Sequence, residues 1–547
     1  MKKADLQRMK TDPDRHSLAP QKKPLWRLSH IESLYRKTAF FIWGLQAQSA
    51  SMPLRFMQDP WRGDAIKGSH ILQGNMPAKD NDPIYHTFGW LRDIRQSGSG
   101  SARLFARDHV ISWMRHNQRW NEHSWRPDHI GQRMANLLLT YEWFVSSADD
   151  SYQLEFTEFL SKQLACLARD WQRLIFPDTQ IKALKGLIIG HALLHQSLKD
   201  VELLADIILP KIKGQLHQDG GHRSRQPEMH LRLLRDLLEC RTAFAAVGLP
   251  ENPTFEDIIN RMAAVTRMWR HTDGGFAHFQ GAGESNAEQI DELLKRCNNR
   301  SRILQQAPHS GFIRIASARN TLIFDAGGPQ QSNRQSVPST LAFEFSVAQA
   351  RFIVNSGQFA KDQRLVSFLE KTAAHSTLTI DGFDSSYAEG GRVAQISDVE
   401  VGPTEDGQLI TASHNGYEPS HGIVHHRQLY LANGGGNLRG SDRLEYTGAP
   451  GEIPEHAVIR FHLHPRVSAA KFQDGRVMMK IGGQKAGWIF KSRGGQVRLE
   501  NSIYMDDGRR STCQQIILLV PLSNIRAVGD ISTNWSFTRA TNLPRSR

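Results

Sequence analysis

At 547 residues, with 39% hydrophobic and 22% charged residues, the chain is too long for one ordinary core and too apolar to be disordered. Its 68 Lys and Arg against 55 Asp and Glu leave a net charge of +13, which favours a polyanionic partner: nucleic acid, anionic lipid or acidic glycan. Cys166, Cys240, Cys297 and Cys513 are far apart with no Cys-x-x-Cys pair, a pattern of neither a disulfide framework nor a zinc knuckle.

Residues 1–27 read as a flexible, solvated basic arm (Lys2, Lys3, Lys22, Lys23) rather than a nucleic-acid tail. The run Thr38-Ala39-Phe40-Phe41-Ile42-Trp43-Gly44-Leu45 is far shorter than the roughly 20 residues of a membrane span. It lies behind a mixed-charge segment and does not read as a classical signal peptide. A core helix is the expectation, with an amphipathic membrane-touching helix as the alternative. From 28 to 280 the apolar residues recur three and four apart, as in Ile130, Met134, Leu137 and Leu138, or Phe88, Leu91 and Ile94, or Leu231, Leu234, Leu237 and Leu238. Successive amphipathic helices packed face to face follow from that period. Arg126-Pro127, Leu209-Pro210 and Gly248-Leu249-Pro250 mark breaks between them. No fixed repeat length emerges.

The polar stretch 281–306 reads as a linker, and from 307 to 547 the period becomes two. Leu341, Phe343 and Phe345 alternate with Ala342, Glu344 and Ser346, and the runs 376–380 and 459–464 alternate likewise. Asp381-Gly382, Asp406-Gly407, Asn433-Gly434 and Asp474-Gly475 supply turns. The expected fold is multidomain, α then β: helices first, then a large antiparallel β-sandwich.

Several segments narrow this architecture. Asp59-Pro60-Trp61-Arg62-Gly63-Asp64, Trp90-Leu91-Arg92-Asp93-Ile94-Arg95, Asp219-Gly220-Gly221-His222, Thr272-Asp273-Gly274-Gly275, Ala374-His375-Ser376-Thr377, Arg439-Gly440-Ser441-Asp442-Arg443-Leu444 and Arg460-Phe461-His462-Leu463-His464-Pro465 occur in that order. Together they resemble the heparinase II/III-like family. The resemblance implies an incomplete (α/α) toroid followed by a β-sandwich. Members with known activity are polysaccharide lyases of uronate-containing glycans such as heparan sulfate or alginate. It also implies an acidic polysaccharide partner, no nucleic acid, no required cofactor and a periplasmic or envelope location. Some related lyases hold a structural zinc in the sandwich.

Cleaving a uronate by β-elimination needs donors that neutralise the carboxylate, each good one worth about 3–4 kcal/mol in the transition state. It also needs a Tyr or His as base and another as acid. His222, in the Asp-Gly-Gly-His turn before a helix expected from Pro227, is a catalytic candidate or a surface turn residue. His230 in the next turn is catalytic or a packed core histidine. His375 alternates with Leu378 and Ile380, and the matching histidine of the family faces the active-site cleft. Arg460, His462 and His464 share a strand face that could bind an acidic sugar, hold a metal or be solvated. His425 and Arg427 share another, with His425 and His462 the weak metal candidates. Arg225 and Arg427 are expected to grip carboxylate. His191 stands nearest to where active relatives carry a neutralising Asn or His. Where those relatives carry Glu, then Tyr-His, this chain has Ser224 and Met229-His230, and methionine cannot exchange a proton. Two functions follow: a lyase acting through His222 and His375, or a non-catalytic acidic-glycan-binding or envelope-assembly protein.

Overall fold

The computed structural model describes residues 28–540 apart from 46, 52–53, 78–81, 283–285, 298–302, 329–336, 358–362, 387–392, 449–452 and 507–508. The expected arm 1–27 lies outside the described residues. The chain divides into two compact units, one of Met1–Lys211 with Cys240–Pro250, the other of Ile212–Glu239 with Glu251–Arg547. The segment expected as a linker contains the helix Ala287–Arg296 and the start of the strand Gln306–Ala307.

The first unit is helical among its described residues. Each expected apolar stripe is buried except at Leu231, which is half-buried. Helices Pro127–Leu139 and Pro177–Gly190 cross at glycines: a Cβ on Gly186 would lie 2.3 Å from the Gly131 Cα, so only glycine permits this backbone approach. The segments around Asp59 and Trp90 meet, with Arg92 Nε donating to Asp59 Oδ2 at 2.9 Å and Arg95 Nη2 lying 3.0 Å from the same oxygen. Those two motifs are therefore architectural. Pro127 sits at a helix start as expected, whereas Pro210 lies inside the helix Leu198–Gly214. A helix-interior proline costs about 3 kcal/mol; burial of Ile208 and Ile212 on either side opposes that cost. All four cysteines are free and buried.

The second unit holds two antiparallel sheets. In the nine-stranded sheet Gln306–Ala307, Phe312–Ser317, Asn320–Asp325, Phe343–Val347, Ala350–Val354, His456–Leu463, Arg509–Pro521 and Gln496–Asp506 follow one another, with Leu378–Ile380 also paired to His456–Leu463. The eight-stranded sheet runs Val467–Lys471, Val477–Ile481, Gly487–Arg493, Asp530–Ala540, Asn437–Tyr446, Ile423–Ala432, Gly407–Tyr417, Ile396–Pro403. Inward aromatics from both sheets make one core: Trp535 stacks on Phe343 at 5.7 Å and meets Phe461 edge-on at 4.7 Å, while Phe345 meets Trp488 at 5.8 Å.

Inside this core lies one polar network. Asp442 Oδ1 accepts from Arg427 Nε and pairs with His425 Nε2, both at 2.7 Å, and its Oδ2 accepts from Trp535 Nε1 at 2.8 Å. Burial acts to raise the Asp442 pKa, but Arg427 and His425 more than offset it and hold the carboxyl well below its ordinary range. Asp442→Ala strips three buried donors of their acceptor. The expected loss is about 3–5 kcal/mol of stability, read as a lowered urea midpoint; an unchanged midpoint would show that the network is dispensable.

Candidate functional site

Two loops of the second unit are built alike. In His217-Gln218-Asp219-Gly220-Gly221 the His217 N–H donates to Gly221 O at 2.8 Å, the Gly220 N–H donates to His217 O at 3.0 Å, and Asp219 Oδ1 accepts the Gly221 N–H at 3.0 Å. In His271-Thr272-Asp273-Gly274-Gly275 the equivalent bonds are 2.9, 3.0 and 2.9 Å. Gly220 and Gly274 have φ of 92° and 88°, the left-handed region that favours glycine. The outer carboxylate oxygen of each Asp faces outward from its loop: Asp219 Oδ2 accepts the Ser310 N–H at 2.6 Å and Asp273 Oδ2 accepts Arg351 Nε at 2.8 Å. The sequence carries this repeat as His-x-Asp-Gly-Gly, of which the family resemblance rests on the Asp-Gly-Gly parts alone.

The first loop delivers His222, Arg225 and, one turn into the helix Pro227–Ala246, His230. All five N–H groups of Arg225 are spent on protein acceptors. Nε reaches Ser310 O at 2.7 Å, Nη1 reaches Gly327 O and Gly328 O at 3.1 Å each, and Nη2 reaches Gly311 O and Asp325 Oδ1. No donor of Arg225 remains for a substrate carboxylate. His222 is buried, not a surface turn residue; its Nδ1 accepts from the Ser224 N–H at 3.1 Å and from Ser224 Oγ at 2.7 Å. That fixes the neutral ring as the Nε2–H tautomer. Burial, then the neighbouring His230 and His217, push its pKa down to about 3. His230 is fully buried, its Nε2 within 2.9 Å of Met262 O and 3.0 Å of Thr266 Oγ1, its ring edge-on to Trp269 at 5.0 Å. Burial lowers its pKa to about 4. Met229 beside it is half-buried.

The second loop leads to a carboxylate that strand alternation had assigned to a polar face. Glu344 is completely buried, because all five residues of Phe343–Val347 are buried and the face opposite the sandwich core is covered too. Its Oε1 accepts the N–H groups of His278 (3.0 Å) and Asn355 (2.8 Å), and its Oε2 lies 2.7 Å from His271 Nε2. Burial acts to raise its pKa, but the His271 hydrogen bond and the charges of His278, His271 and Arg351 outweigh it, so Glu344 stays ionised. His278 stacks on Tyr504 at 5.0 Å, and His464 meets Tyr504 edge-on at 5.0 Å.

His375 is placed near this cluster: it is buried, and its pKa is pushed to about 4 by desolvation, with Glu344 opposing and His278 adding to the shift. Neither ring nitrogen has a hydrogen-bond partner among the described residues, and the same holds for Asn355 Nδ2 and Ser356 Oγ, both buried. His462 is buried and doubly engaged, Nδ1 with Ser502 Oγ at 2.9 Å and Nε2 with Ala373 O at 3.0 Å. The Arg460–His462–His464 face is therefore not uniformly solvated. Half-buried Arg460 donates to Thr379 Oγ1 at 2.6 Å, and half-buried His464 accepts the Arg466 N–H.

Arg427 lies in the sandwich network, also donating to Leu341 O and Ser376 O, so it faces protein carbonyls and Asp442. His425 is bonded on both ring nitrogens, to Asp442 and to His414 Nε2 at 3.1 Å. His425 and His462 thus present no free nitrogen, and among the described residues no group of three His, Cys, Asp or Glu is arranged to hold a metal. His191, in the helical unit, opens a π-helical turn, 3.4 Å from both Asp200 Oδ2 and His195 Nδ1.

Residues 299–536 match the family described as Heparinase II/III-like, C-terminal. They are similar to the C-terminal domain of that family. Solved structures agree at the level of fold. A heparinase III superposes with a TM-score of 0.67 at 14% identity, covering 89% of this chain and 83% of that one. The heparan sulfate lyase HepC from Pedobacter heparinus gives 0.62 at 15% identity, covering 86% and 78%. By sequence the chain is similar to FtsZ-localized protein C of Caulobacter vibrioides, 26% identical over 530 residues, 88% of this chain and 89% of that protein.

His222, in the loop before the helix Pro227–Ala246, and His375 and His462, in the region that matches the family, are neutral in the fold and bind protons once unfolded. Their folded pKa values lie below the ordinary value near 6.5, so their contribution is present above that value and is lost as pH falls toward 4 and 3. Each contributes a slope of about 1.4 kcal/mol per pH unit in that window. Urea midpoints should therefore fall steeply from pH 6.5 to 4; a flat profile would contradict the burial of these rings. Glu344→Leu should destabilise by about 3 kcal/mol or more through its three orphaned partners, whereas His375→Phe should be near-neutral. Equal losses in both melts would refute the distinction.

Proposed function

We propose that this chain is a heparinase-fold binding protein of the dividing cell that engages acidic glycan without cleaving it. The observation that carries the proposal is Met229-His230, at the place where active relatives of the resembled family carry Tyr-His. The methionine has no exchangeable proton, and the histidine is sealed against Met262 O and Thr266. A general base works best with a pKa near the operating pH; His222 and His230, near 3 and 4, are poor proton acceptors. The committed Arg225 supports the same reading, since it has no donor left to neutralise a uronate. The likeness to FtsZ-localized protein C extends over most of both chains and supports a place with the division machinery.

A second reading, β-elimination of a uronate-containing glycan, is favoured by one observation. Among the described residues, both ring nitrogens of His375 are without partners, close enough to Glu344 and His278 to feel their charges. The lyase scaffold is shared by both readings, and fold alone does not choose between them.

The test mixes purified full-length protein with heparan sulfate, alginate and hyaluronan and follows the ultraviolet absorbance of unsaturated uronate alongside glycan length. The expected outcome is a flat trace, unchanged length, and binding to at least one glycan that weakens with added salt. A rising trace abolished by His375→Ala would establish the lyase instead. Co-sedimentation with FtsZ filaments is expected; a chain that stays in the supernatant would remove the division assignment.

A further inference from the structure

The eight-stranded sheet turns one face to the sandwich core and the other to solvent. Along the strand Asp530–Ala540 the inward Trp535 and Phe537 are buried, while Ser532, Asn534 and Thr538, of the opposite parity, are exposed. Strand pairing sets the outward side chains in rows across the sheet. One row runs Lys491, Ser536, Arg439, Tyr430, and the next runs Arg493, Asn534, Ser441, Gln428. Neighbours within a row stand on strands about 4.8 Å apart, and the two rows are about 7 Å apart along the strands.

Three of these eight side chains are cations and none is an acid. Lys491, Arg439 and Arg493 are exposed and form no ion pair among the described residues. Further along the strand Asn437–Tyr446, Arg443 is by contrast paired with Glu445 at 2.9 Å, and Glu445 also meets His426 at 3.0 Å. At the Tyr430 end the Asp406 carboxylate faces the phenol and raises its pKa, so the cationic zone stops there. The Arg439 guanidinium lies 5.4 Å from the centre of the Tyr430 ring. That contact restricts its planar fork and reduces the entropy lost when it grips an anion.

Charge selects an anion, and the neutral side chains select among anions. Ser536, Asn534, Ser441 and Gln428 offer hydroxyl and amide groups that both donate and accept, as sugar hydroxyls require. Single-stranded nucleic acid would want open aromatic faces for its bases, and the one ring in these rows has Arg439 over it. A peptide adding as a strand would want free backbone groups, and the four strands that carry the rows are paired on both sides.

We propose that this outer sheet face binds acidic glycan, a linear polysaccharide with carboxylate or sulfate groups. Arg439, Lys491 and Arg493 take its anions, and the hydroxyl and amide side chains take its hydroxyls. The assignment rests on the glycan-binding reading above and places the contact on a surface that uses none of His222, His230 and His375.

The test titrates fluorescently labelled heparan sulfate, alginate and hyaluronan with the full chain and follows anisotropy. Arg439→Glu with Lys491→Glu and Arg493→Glu should weaken binding at least about tenfold, with little change in urea midpoint because all three side chains are exposed. Gln428→Ala with Asn534→Ala, which alters no charge, should weaken it about threefold or more at low and high salt alike. Unlabelled glycan should displace the label, and polyglutamate or single-stranded DNA should do so far less well at equal charge. Binding that survives the triple substitution would overturn the face and leave the glycan reading standing. Equal displacement by polyglutamate or DNA, or no effect of the Gln428/Asn534 pair, would make the face a general polyanion surface and overturn the assignment. If no glycan binds the unaltered chain, the glycan-binding reading falls and this inference with it.

Discussion

The Arg225–Asp325 pair is the constraint on which the second unit depends. Asp325 has no exposed surface, and its two oxygens collect four donors: Arg225 and the Gly327 N–H on one, Ser339 Oγ and Gln280 Nε2 on the other. Those donors come from the loop before the helix Pro227–Ala246, from Gln280 after Phe279, from the turn after strand Asn320–Asp325 and from the segment before strand Phe343–Val347. Three of the contributing chain positions, Arg225, Gln280 and Leu341, have positive φ without being glycine. Such conformations cost on the order of 1 kcal/mol each and persist where the surroundings over-determine them. Here the surroundings are one carboxylate and its own main chain, the Asp325 C=O accepting the Leu341 N–H at 2.9 Å.

That constraint explains the chemistry of the histidines. A loop pinned by five guanidinium hydrogen bonds holds His222 under cover, and the following helix seals His230 against Met262 and Thr266. The equivalent loop around Asp273 delivers His271 to Glu344. Each ring is thereby placed in a dry, hydrogen-bonded setting where the neutral form wins for His222 and His230. The arrangement is good for rigidity and poor for proton transfer near neutral pH. His375 differs, because among the described residues nothing bonds to its nitrogens, which is why it carries the remaining catalytic reading.

Much of the fold was legible because it rests on period. Stripes such as Ile130, Met134, Leu137 and Leu138 bury as their spacing demands, and the change to period two marks the strands. Alternation also misled, at Glu344, where it implies a polar and solvated face. Period reports which residues share a face, not whether a second layer covers that face, and here the segment from His271 to Gln280 does. The role of Arg225 was not legible for a related reason: a glycine-rich turn before a helix looks the same whether its arginine faces a ligand or five carbonyl and carboxylate oxygens. Asp442 sat in a quoted motif, yet only the pairing of strand Asn437–Tyr446 with Ile423–Ala432 brings it to His425 and Arg427.

Buried charge therefore does different work in the two units. In the second it closes loops over His222 and His230 and fixes Glu344 beneath His271. In the first, the buried Arg36–Asp170 pair, with Glu32 also bonded to Arg36, holds the helix His30–Arg36 so that Ile31 and Leu34 face solvent. Hydrophobic burial alone would have chosen the opposite orientation, since Ile31 and Leu34 would gain about 1.5–3 kcal/mol each by facing inward. An orientation kept against that gradient needs a compensating interaction, and the Arg36 network is the one present.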